Sequence, residues 1–410
     1  MNKLYTLLTI LLVSAQSFAQ TAGSCDGSRY ILDQFPTVTK TTIQYATNKN
    51  VQGLNQKLYM DIYTPDGDIA EDRPVIIWAF GGSFIVGQRS DMASYCIAYA
   101  KKGYVTATID YRLWPLFVLG FPTGDQVLDV VVQAVSDMKG AVRYFKKDAD
   151  LNNAYRINPS KIIIGGVSAG AIAALHAANL ESTDTLNSFI QTAVDKNGGI
   201  DGNTGDSLML TYSPNVAAVV NLSGGLYNAN WIDEKSSPIM SYHGNADATV
   251  PYTSGIANGL LYIEGSKLLN DRCMEVGIEN YLVTVPGGGH TDIYSDPKFS
   301  SYLTEFSVNS TLKLEDIVCE NSSSTSNESI SSIILAVPNP SSFSTNFNMP
   351  EAANWSVTVY TLQGLLVSTM ESENNSMITL EKGNLASGLY VVSISNTKTG
   401  KRFVSKVSFN

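Results

Sequence analysis

The stretch Lys161–Ala178, KIIIGGVSAGAIAALHAA, decides the fold that we expect. It begins with an apolar run typical of a buried strand and continues into an alanine-rich segment with the pattern of a helix. Ser168 lies at the joint, within Gly-Val-Ser-Ala-Gly. This is the arrangement of a nucleophile elbow, in which glycines let the strand and helix backbones pass closely. Capping of the helix is the alternative role of Ser168.

Apolar runs of strand type alternate with longer helical patterns around this stretch. The strand-like runs are 75–80, 104–111, 162–166, 216–222, 238–243 and 281–285. Residues 125–146 have the apolar spacing of a helix. The alternation predicts an α/β domain with a mostly parallel sheet and helices on both faces.

A serine nucleophile needs a histidine to take its proton, and the chain has three histidines. His176 is eight residues along the helix from Ser168, about 12 Å at 1.5 Å per residue, which is too far for the base. His243 ends a strand-like run and suits the orientation of a loop. His290 follows three glycines after the run 281–285 and is the expected base.

The third member expected is Asp247, in the segment HGNADATVPY at 243–252. The alternative is a plain turn aspartate, and Asp292 is the nearest competitor. The chain order Ser168, Asp247, His290 favours Asp247, since each residue follows a strand in the order Ser, Asp, His.

Attack on a carbonyl produces an oxyanion that requires waiting N–H donors. The loop 80–84, FGGSF, follows a strand-like run, and we expect the main-chain N–H groups of Gly82 and Ser83 to serve, with that of Ala169 as the third. A glycine-rich turn without function is the alternative. This chemistry requires no metal and no organic cofactor.

With these motifs, residues from about 40 to 315 resemble the α/β-hydrolase fold, and within it the carboxylesterases and the lipase/esterase group. The matching segments are FGGSF at 80–84, GYVTATIDYRL at 103–113, DMKGAVRYFKKDA at 137–149, INPSKIIIGGVSAGA at 157–171, HGNADATVP at 243–251 and GGGH at 287–290. Two positions depart from the family's His-Gly-Gly-Gly motif: Phe80 replaces the histidine and Ser83 replaces the third glycine.

The resemblance implies a serine hydrolase that cleaves small or polymer-linked carboxylic esters through an acyl-enzyme. A peptidase of the same fold and a non-catalytic, hydrolase-like surface-binding protein remain the alternatives. Four aromatic residues could line a substrate pocket, although each could equally be core: Phe84, Trp114, Phe117 and Phe121. The polar segment 181–214 could overhang the site as a lid.

The chain divides into four parts by composition. Residues 1–19 have a basic start and a short apolar run before Ala19, which predicts a secretory signal peptide. Residues 20–319 form the expected catalytic domain. Residues 320–332 are rich in Ser and Asn and predict a flexible linker. Residues 333–410 contain short alternating runs that predict a small β-sandwich.

The tail also resembles the C-terminal sorting domain of type IX secretion cargo. The motifs that carry the resemblance are VPNP at 337–340, VTVYTLQGLLV at 357–367, LASGLYVVSIS at 385–395 and the basic end KTGKRFVSKV at 398–407. It implies a protein that is secreted or attached to the cell surface by the type IX machinery, through the periplasm of a Gram-negative cell. A carbohydrate-binding sandwich is the alternative.

Charge, apolar run length and cysteine content indicate which binding partners, membrane segments and disulfides to expect in this chain. The 27 Lys and Arg against 37 Asp and Glu give a formal net charge of −10, which argues against nucleic acid. No segment after the leader approaches 18 uninterrupted apolar residues, so we expect no integral membrane segment. The four cysteines of an exported chain predict two disulfides, for which the expected pairs are Cys25–Cys96 and Cys273–Cys319.

Overall fold

The structure is a computed structural model that describes residues 25, 28–202, 208–319, 332–361, 366–399 and 402–410. The predicted leader 1–19 and residues 320–331 of the predicted linker lie outside the described residues. The strands of the first domain are β1 Val38–Lys49, β2 Asn55–Pro65, β3 Arg73–Ala79, β4 Val105–Ile109, β5 Ile157–Val167, β6 Ala218–Leu222, β7 Gly225–Leu226, β8 Ile239–Gly244, β9 Ser254–Ala257, β10 Leu261–Gly265 and β11 Asn280–Val285. The helices are α1 Ala93–Ala100, α2 Leu116–Leu119, α3 Gly124–Leu151, α4 Ala169–Asn179, α5 Ser188–Lys196, α6 Ser266–Val276 and α7 Ser300–Cys319.

Eight of these strands form the central sheet, in the order β1-β2-β4-β3-β5-β6-β8-β11. The six strands from β4 to β11 run parallel, and β1 and β2 add an antiparallel edge. Every residue of β3, β4, β6 and β8 is buried, because α1 and α7 cover one face of the sheet while α3, α4 and α6 cover the other. The predicted α/β fold is confirmed. The sequence analysis missed β1 and β2, which lie before the first predicted run.

In the parallel part of the sheet, the carboxyl ends of the strands meet at one edge. The loops after β3, β5, β8 and β11 therefore lie together, and these loops carry the residues that the sequence singled out. The three remaining strands, β7, β9 and β10, form a small antiparallel sheet beside this edge. None of the helices that the structure describes combines the length and apolar character needed to cross a bilayer.

The C-terminal domain is all-β, as predicted. Its strands are β12 Ser332–Ile333, β13 Ala336–Val337, β14 Ser344–Thr361, β15 Leu366–Glu381, β16 Gly388–Asn396 and β17 Arg402–Phe409. They form one hydrogen-bonded sheet in the order β12-β17-β16-β14-β13, with β15 paired to β14. Alternate side chains of these strands build a separate hydrophobic core around Phe347, Trp355 and Val392, so this domain has its own source of stability.

The predicted disulfide pairs are wrong. Cys25 is bonded to Cys319, with 5.7 Å between the Cα atoms, while Cys96 and Cys273 are buried free thiols. The segment after Cys25 pairs its backbone with the end of α1, where Tyr30 donates to the carbonyl of Lys102. This path brings Cys25 to the last residue of α7. Cys96 faces the core inside α1 and Cys273 faces it inside α6, so neither thiol reaches the N-terminal segment.

Candidate active site

Ser168 occupies the sharp turn between β5 and α4. Its backbone has φ 53° and ψ −118°, a left-handed conformation that costs a residue other than glycine roughly 1–3 kcal/mol. The turn is held by its N–H, which donates to the carbonyl of Leu222 at 2.8 Å. A Cβ on Gly170 would lie 2.2 Å from the carbonyl oxygen of Ala79, so α4 starts directly against β3. The Ser168 side chain makes no capping bond to α4, which is described along its whole length.

Ser168, His290 and Asp247 lie in one hydrogen-bonded row. His290 Nε2 is 2.8 Å from Ser168 Oγ, and His290 Nδ1 is 2.6 Å from Asp247 Oδ2. The Asp247 side chain is fully buried, while the His290 ring keeps 15% of its surface exposed. With the carboxylate at Nδ1, that nitrogen carries the proton and Nε2 is free to accept the serine proton. The arrangement can therefore generate a serine nucleophile.

Asp247 is held by more than the histidine it faces. Its Oδ1 accepts from the backbone N–H groups of Thr249 and Val250 at 2.8 and 2.9 Å, and its Oδ2 lies 3.2 Å from His243 Nε2. Burial alone raises the pKa of Asp247, but hydrogen bonds from His243 and His290 outweigh burial and hold the pKa well below its usual range. Asp247 is thus a fixed, ionised carboxylate.

His243 continues this polar row below Asp247. Its ring is completely buried, with Nδ1 at 2.7 Å from Ser266 Oγ and Nε2 at 3.1 Å from the carbonyl of Val250. Because both neighbours of Nε2 are acceptors, Nε2 carries the proton and Nδ1 accepts from the Ser266 hydroxyl. Ser266 Oγ accepts in turn from Asn221 Nδ2 at 2.9 Å. His243 was expected to orient a loop, and in the structure it contacts the Asp247 carboxylate directly.

The sequence analysis missed Asn221 and Ser266. They come from the end of β6 and the start of α6, and no local pattern connects them with the elbow. Their only signal is a polar residue inside an otherwise apolar strand, as with Asn221 in AVVNL. Such a residue needs a buried partner, but the sequence does not say which one.

The loop after β3 lies against the elbow. Gly82 has φ 123°, and a Cβ there would lie 2.0 Å from the carbonyl oxygen of Val86, so glycine is required for this tight turn. Within the described part of the chain, the main-chain N–H groups of Gly82 and Ser83 donate no backbone hydrogen bond. Ala169 is the first residue of α4, where N–H groups have no intrahelical partner. These are the three donors expected for an oxyanion.

The two departures from the family motif have structural counterparts. The Phe80 ring stacks on Tyr111 at 4.3 Å, and the Tyr111 hydroxyl donates to the Phe80 carbonyl at 2.8 Å. Tyr111 thus fixes Phe80 at the start of this loop. The hydroxyl of Ser83 accepts from Asn258 Nδ2 at 2.7 Å, which ties the loop to the turn between β9 and β10.

Other candidates from the sequence lie elsewhere. His176 accepts from the N–H of Tyr227 at Nε2, and its Nδ1 is 2.7 Å from the carbonyl of Ile172. Burial lowers the pKa of His176 to about 4, as for a neutral core histidine. Asp292 Oδ1 accepts from the N–H of Gly289 at 2.7 Å, so Asp292 shapes the loop that carries His290. The described residues contain no group of three or more His, Cys, Asp and Glu side chains suited to a metal ion.

The segment 181–214, described except for 203–207, is hydrogen-bonded to side chains of α3. Lys139 Nζ donates to the carbonyl of Leu180, directly before the segment, at 3.1 Å and to that of Ile200 within it at 3.0 Å. Arg143 donates to the carbonyl of Tyr212 at 3.0 Å. These bonds come from two buried cations of one helix. They favour a docked segment over the lid that the sequence analysis considered.

Two sequence families match this chain. Residues 60–228 match the BD-FAE family, and residues 336–407 match the secretion system C-terminal sorting domain. The first match includes Ser168 and the loop 80–84 but ends before Asp247 and His290. The second covers most of the all-β domain.

Curated relatives are similar over part of their length. Bile salt-activated lipase of Bos taurus is 28% identical over 163 residues, which are 37% of this chain and 26% of the lipase. Isoprenylcysteine alpha-carbonyl methylesterase ICME of Arabidopsis thaliana is 23% identical over 288 residues, which are 60% of this chain and 57% of the methylesterase. The chain thus spans about a quarter of the lipase and somewhat over half of the methylesterase.

Solved structures of esterases align with about two thirds of this chain. Thermogutta terrifontis esterase 2 phosphoramylated by tabun aligns with a TM-score of 0.48 and 19% identity, over 67% of this chain and 94% of the esterase. A truncated form of carbohydrate esterase from gut microbiota aligns with a TM-score of 0.46 and 22% identity, over 68% of this chain and 98% of that protein.

Proposed function

We propose that this chain, a carboxylesterase-like α/β-hydrolase with a secretion system C-terminal sorting domain, is an exported serine hydrolase that cleaves carboxylic esters. The observation that carries the proposal is the row of Ser168 Oγ, His290 and Asp247 Oδ2, joined by contacts of 2.8 and 2.6 Å. The strained elbow at Ser168 and the N–H groups beside it support the same chemistry.

In the acylation step, Ser168 Oγ attacks the ester carbonyl carbon while His290 Nε2 takes the hydroxyl proton. The carbonyl oxygen becomes an oxyanion that accepts from the N–H groups of Gly82, Ser83 and Ala169. When the tetrahedral intermediate collapses, the bond to the leaving oxygen breaks and His290 gives its proton to that oxygen. The alcohol departs and the acyl group stays on Ser168.

In the deacylation step, His290 Nε2 takes a proton from water as the water oxygen attacks the acyl carbon. The bond to Ser168 Oγ then breaks, and His290 returns the proton to the serine. The acid product leaves. Asp247, held as a carboxylate by its four hydrogen bonds, stabilises the protonated imidazole at each stage.

Ser168→Ala tests the proposal. Alanine keeps the small volume of the elbow, so we expect an unchanged melting temperature and loss of hydrolysis of p-nitrophenyl acetate to the level of buffer. Retention of more than a few per cent of the activity would exclude Ser168 as the nucleophile. Parallel assays on peptide anilides distinguish an esterase from a peptidase of this fold, and inactivity of the native chain on both would favour a binding protein.

For the rest of the chain we propose the division that the composition suggests. Residues 1–19 would direct export across the inner membrane, 20–319 would form the catalytic domain, and 320–332 would link it to a sorting domain at 333–410. The separate core of the last domain supports this boundary. We propose the type IX machinery as its partner, with release to the medium or attachment at the cell surface as the outcome.

A further inference from the structure

One part of the protein surface exposes large apolar side chains. In the loop after β4, Phe117 and Phe121 are 101% and 85% exposed, and Val118 and Leu119 between them are also exposed. Val86, from the loop after β3, is exposed as well. We call these five residues the apolar rim. An exposed group of this kind on a protein surface commonly marks a binding surface.

A cavity lies directly beside the rim. Its volume is about 400 Å³, within the range of roughly 300–1,000 Å³ found for small-molecule sites. Its lining is mainly apolar and includes Phe80, Ile85, Leu113, Trp114 and Phe117, while Gln56, Gln88 and Asp110 supply the polar part. Two of the aromatic residues that the sequence suggested, Trp114 and Phe117, therefore line one cavity.

The cavity is lined in part by the loop after β3, which also carries the proposed oxyanion donors Gly82 and Ser83. Phe80 forms part of its wall, and a Cβ on the next residue, Gly81, would lie 3.4 Å from the Cβ of Ser168. The main chain of Trp114 is tied to this loop as well, since its N–H donates to the carbonyl of Phe84 at 2.8 Å. The loop 80–84 thus approaches Ser168 at Gly81 and forms the wall of the cavity at Phe80.

A second cavity with an apolar lining does not offer this position. It lies between α3, α4 and α5 beside His176, and its volume is about 30 Å³, which is about the space of one water molecule. His176 is two turns along α4 from Ser168. The loop that carries the apolar rim is therefore the better candidate for a substrate contact.

We propose, on the basis of the proposed esterase function, that the substrate is a water-insoluble ester. Its apolar chain enters the cavity, and the side chains of the apolar rim rest on the surface of the ester aggregate. Each phenylalanine that leaves water for such a surface strengthens binding of the protein to the aggregate, because its apolar area is removed from water. This contact needs no hydrogen-bond partners. The apolar chain can be the acyl or the alcohol part of the ester, because both extend from the carbonyl carbon that Ser168 attacks.

The experiment uses the full chain and three variants: Leu119→Ser/Phe121→Ser at the rim, Leu113→Trp in the cavity, and Phe343→Ser as the control. Phe343 is 82% exposed in the C-terminal domain, so its replacement removes similar apolar surface away from the loop. Each protein is assayed on dissolved p-nitrophenyl acetate and on emulsified tributyrin and tricaprylin. Melting temperatures verify the fold.

We expect the rim variant to lose about tenfold or more of its activity on the emulsions, with unchanged turnover of dissolved acetate. Leu113→Trp is expected to raise KM with increasing chain length, and dissolved acyl-chain and alcohol-chain series identify which part enters the cavity. Phe343→Ser is expected to behave as the native chain.

Equal losses on dissolved and emulsified esters, or no loss on emulsions, would overturn the inference. A rim variant that only converts a dimer to a monomer in sedimentation would assign the rim to a second copy of the chain and would also overturn it. If the native chain hydrolyses no ester at all, the proposed function fails as a whole. If the native chain hydrolyses dissolved p-nitrophenyl acetate but ester hydrolysis depends neither on the rim nor on chain length, only this inference fails and the proposed function stands.

Discussion

The polar side of the candidate site and the apolar rim are built from opposite chemistry. Behind Ser168, the buried Asp247 carboxylate accepts four hydrogen bonds, and His243 continues that row into the core. At the rim, Phe117 and Phe121 face solvent from a helix of only four residues and the loop after it. The difference separates two tasks. Reacting atoms need directional bonds that fix their positions, whereas an apolar substrate needs only surface that is free to leave water.

The largest effect is expected at the centre of the polar side, from Asp247→Asn. An asparagine can donate to His290 Nδ1, which favours the wrong tautomer, so we expect kcat to fall about 10³- to 10⁴-fold. Steady-state kinetics on dissolved p-nitrophenyl acetate measure the fall. Asp292→Asn is the matched control, since the only described hydrogen bond of the Asp292 side chain is the one it accepts from the loop N–H of Gly289. If Asp292→Asn lowers kcat more than Asp247→Asn does, Asp292 is the carboxylate that orients His290 and Asp247 is not.

A smaller effect is expected from His243→Ala, which removes one donor from Asp247 without touching Ser168. A hydrogen bond to a charged group contributes about 1.5–3 kcal/mol, so kcat is expected to fall about 10- to 100-fold while KM for dissolved acetate stays constant. His243→Gln returns an N–H near the position of Nε2 and should recover part of the loss. His176→Gln is the control, a buried histidine outside the site. If His243→Ala and His176→Gln change only the melting temperature, His243 has a structural role alone.

The pH profile gives the next effect, up to tenfold for each pH unit on the acid side. Protonated His290 cannot accept the serine proton, so kcat/KM falls as pH decreases. Asp247 adds no second step, because its pKa is held well below the usual range and it stays ionised across the pH range of the assay. The logarithm of kcat/KM against pH should therefore have a limiting slope of one. A slope of two, or a rate that stays flat down to about pH 4, would contradict the proposed roles.

The smallest effect on catalysis is expected from removal of the C-terminal domain by a stop codon within 320–331. This cut keeps Cys319 and hence its disulfide with Cys25. We expect unchanged kcat and ester preference, because the removed domain has its own core. In a host with the type IX machinery, the shortened enzyme should accumulate in the periplasm.

Cell fractionation and ester assays measure the outcome. Full-length levels of the shortened enzyme in the medium would contradict the sorting role. Normal export with activity lost only on insoluble polysaccharide esters would favour a carbohydrate-binding module.

The sequence was most informative where a residue's role follows from its immediate neighbours. The apolar run before Ser168 and the glycines around it were sufficient to predict the elbow, because strand, turn and helix are all local. Glycines in the loop 80–84 likewise predicted the turn whose N–H groups lie beside the elbow. Asp247 and His290 were then predicted from their chain order and from their positions after strands, because parallel connections bring the ends of strands to one edge of a sheet.

Other features depended on which surfaces meet after the elements have packed. Phe84 and Phe117 are the same residue type in loops after neighbouring strands, yet Phe84 is buried and Phe117 is fully exposed. Cys25 is bonded to Cys319, 294 positions away along the chain. Cys96 and Cys273, which were the predicted partners of Cys25 and Cys319, instead face the core. Composition and spacing contain no information about such packing, so these predictions remained open or were wrong.

The sequence by itself determined the α/β architecture, the all-β tail and the residue types of the candidate site, because hydrophobic periodicity and turn chemistry act over a few residues. Only the tertiary structure decided that His243, Ser266 and Asn221 line up behind Asp247, that Tyr111 holds the loop at Phe80, and that a cavity opens beside the exposed phenylalanines. Each of these features joins side chains from different strands or helices. Their distances are set by how the layers pack, which no single segment of the chain contains.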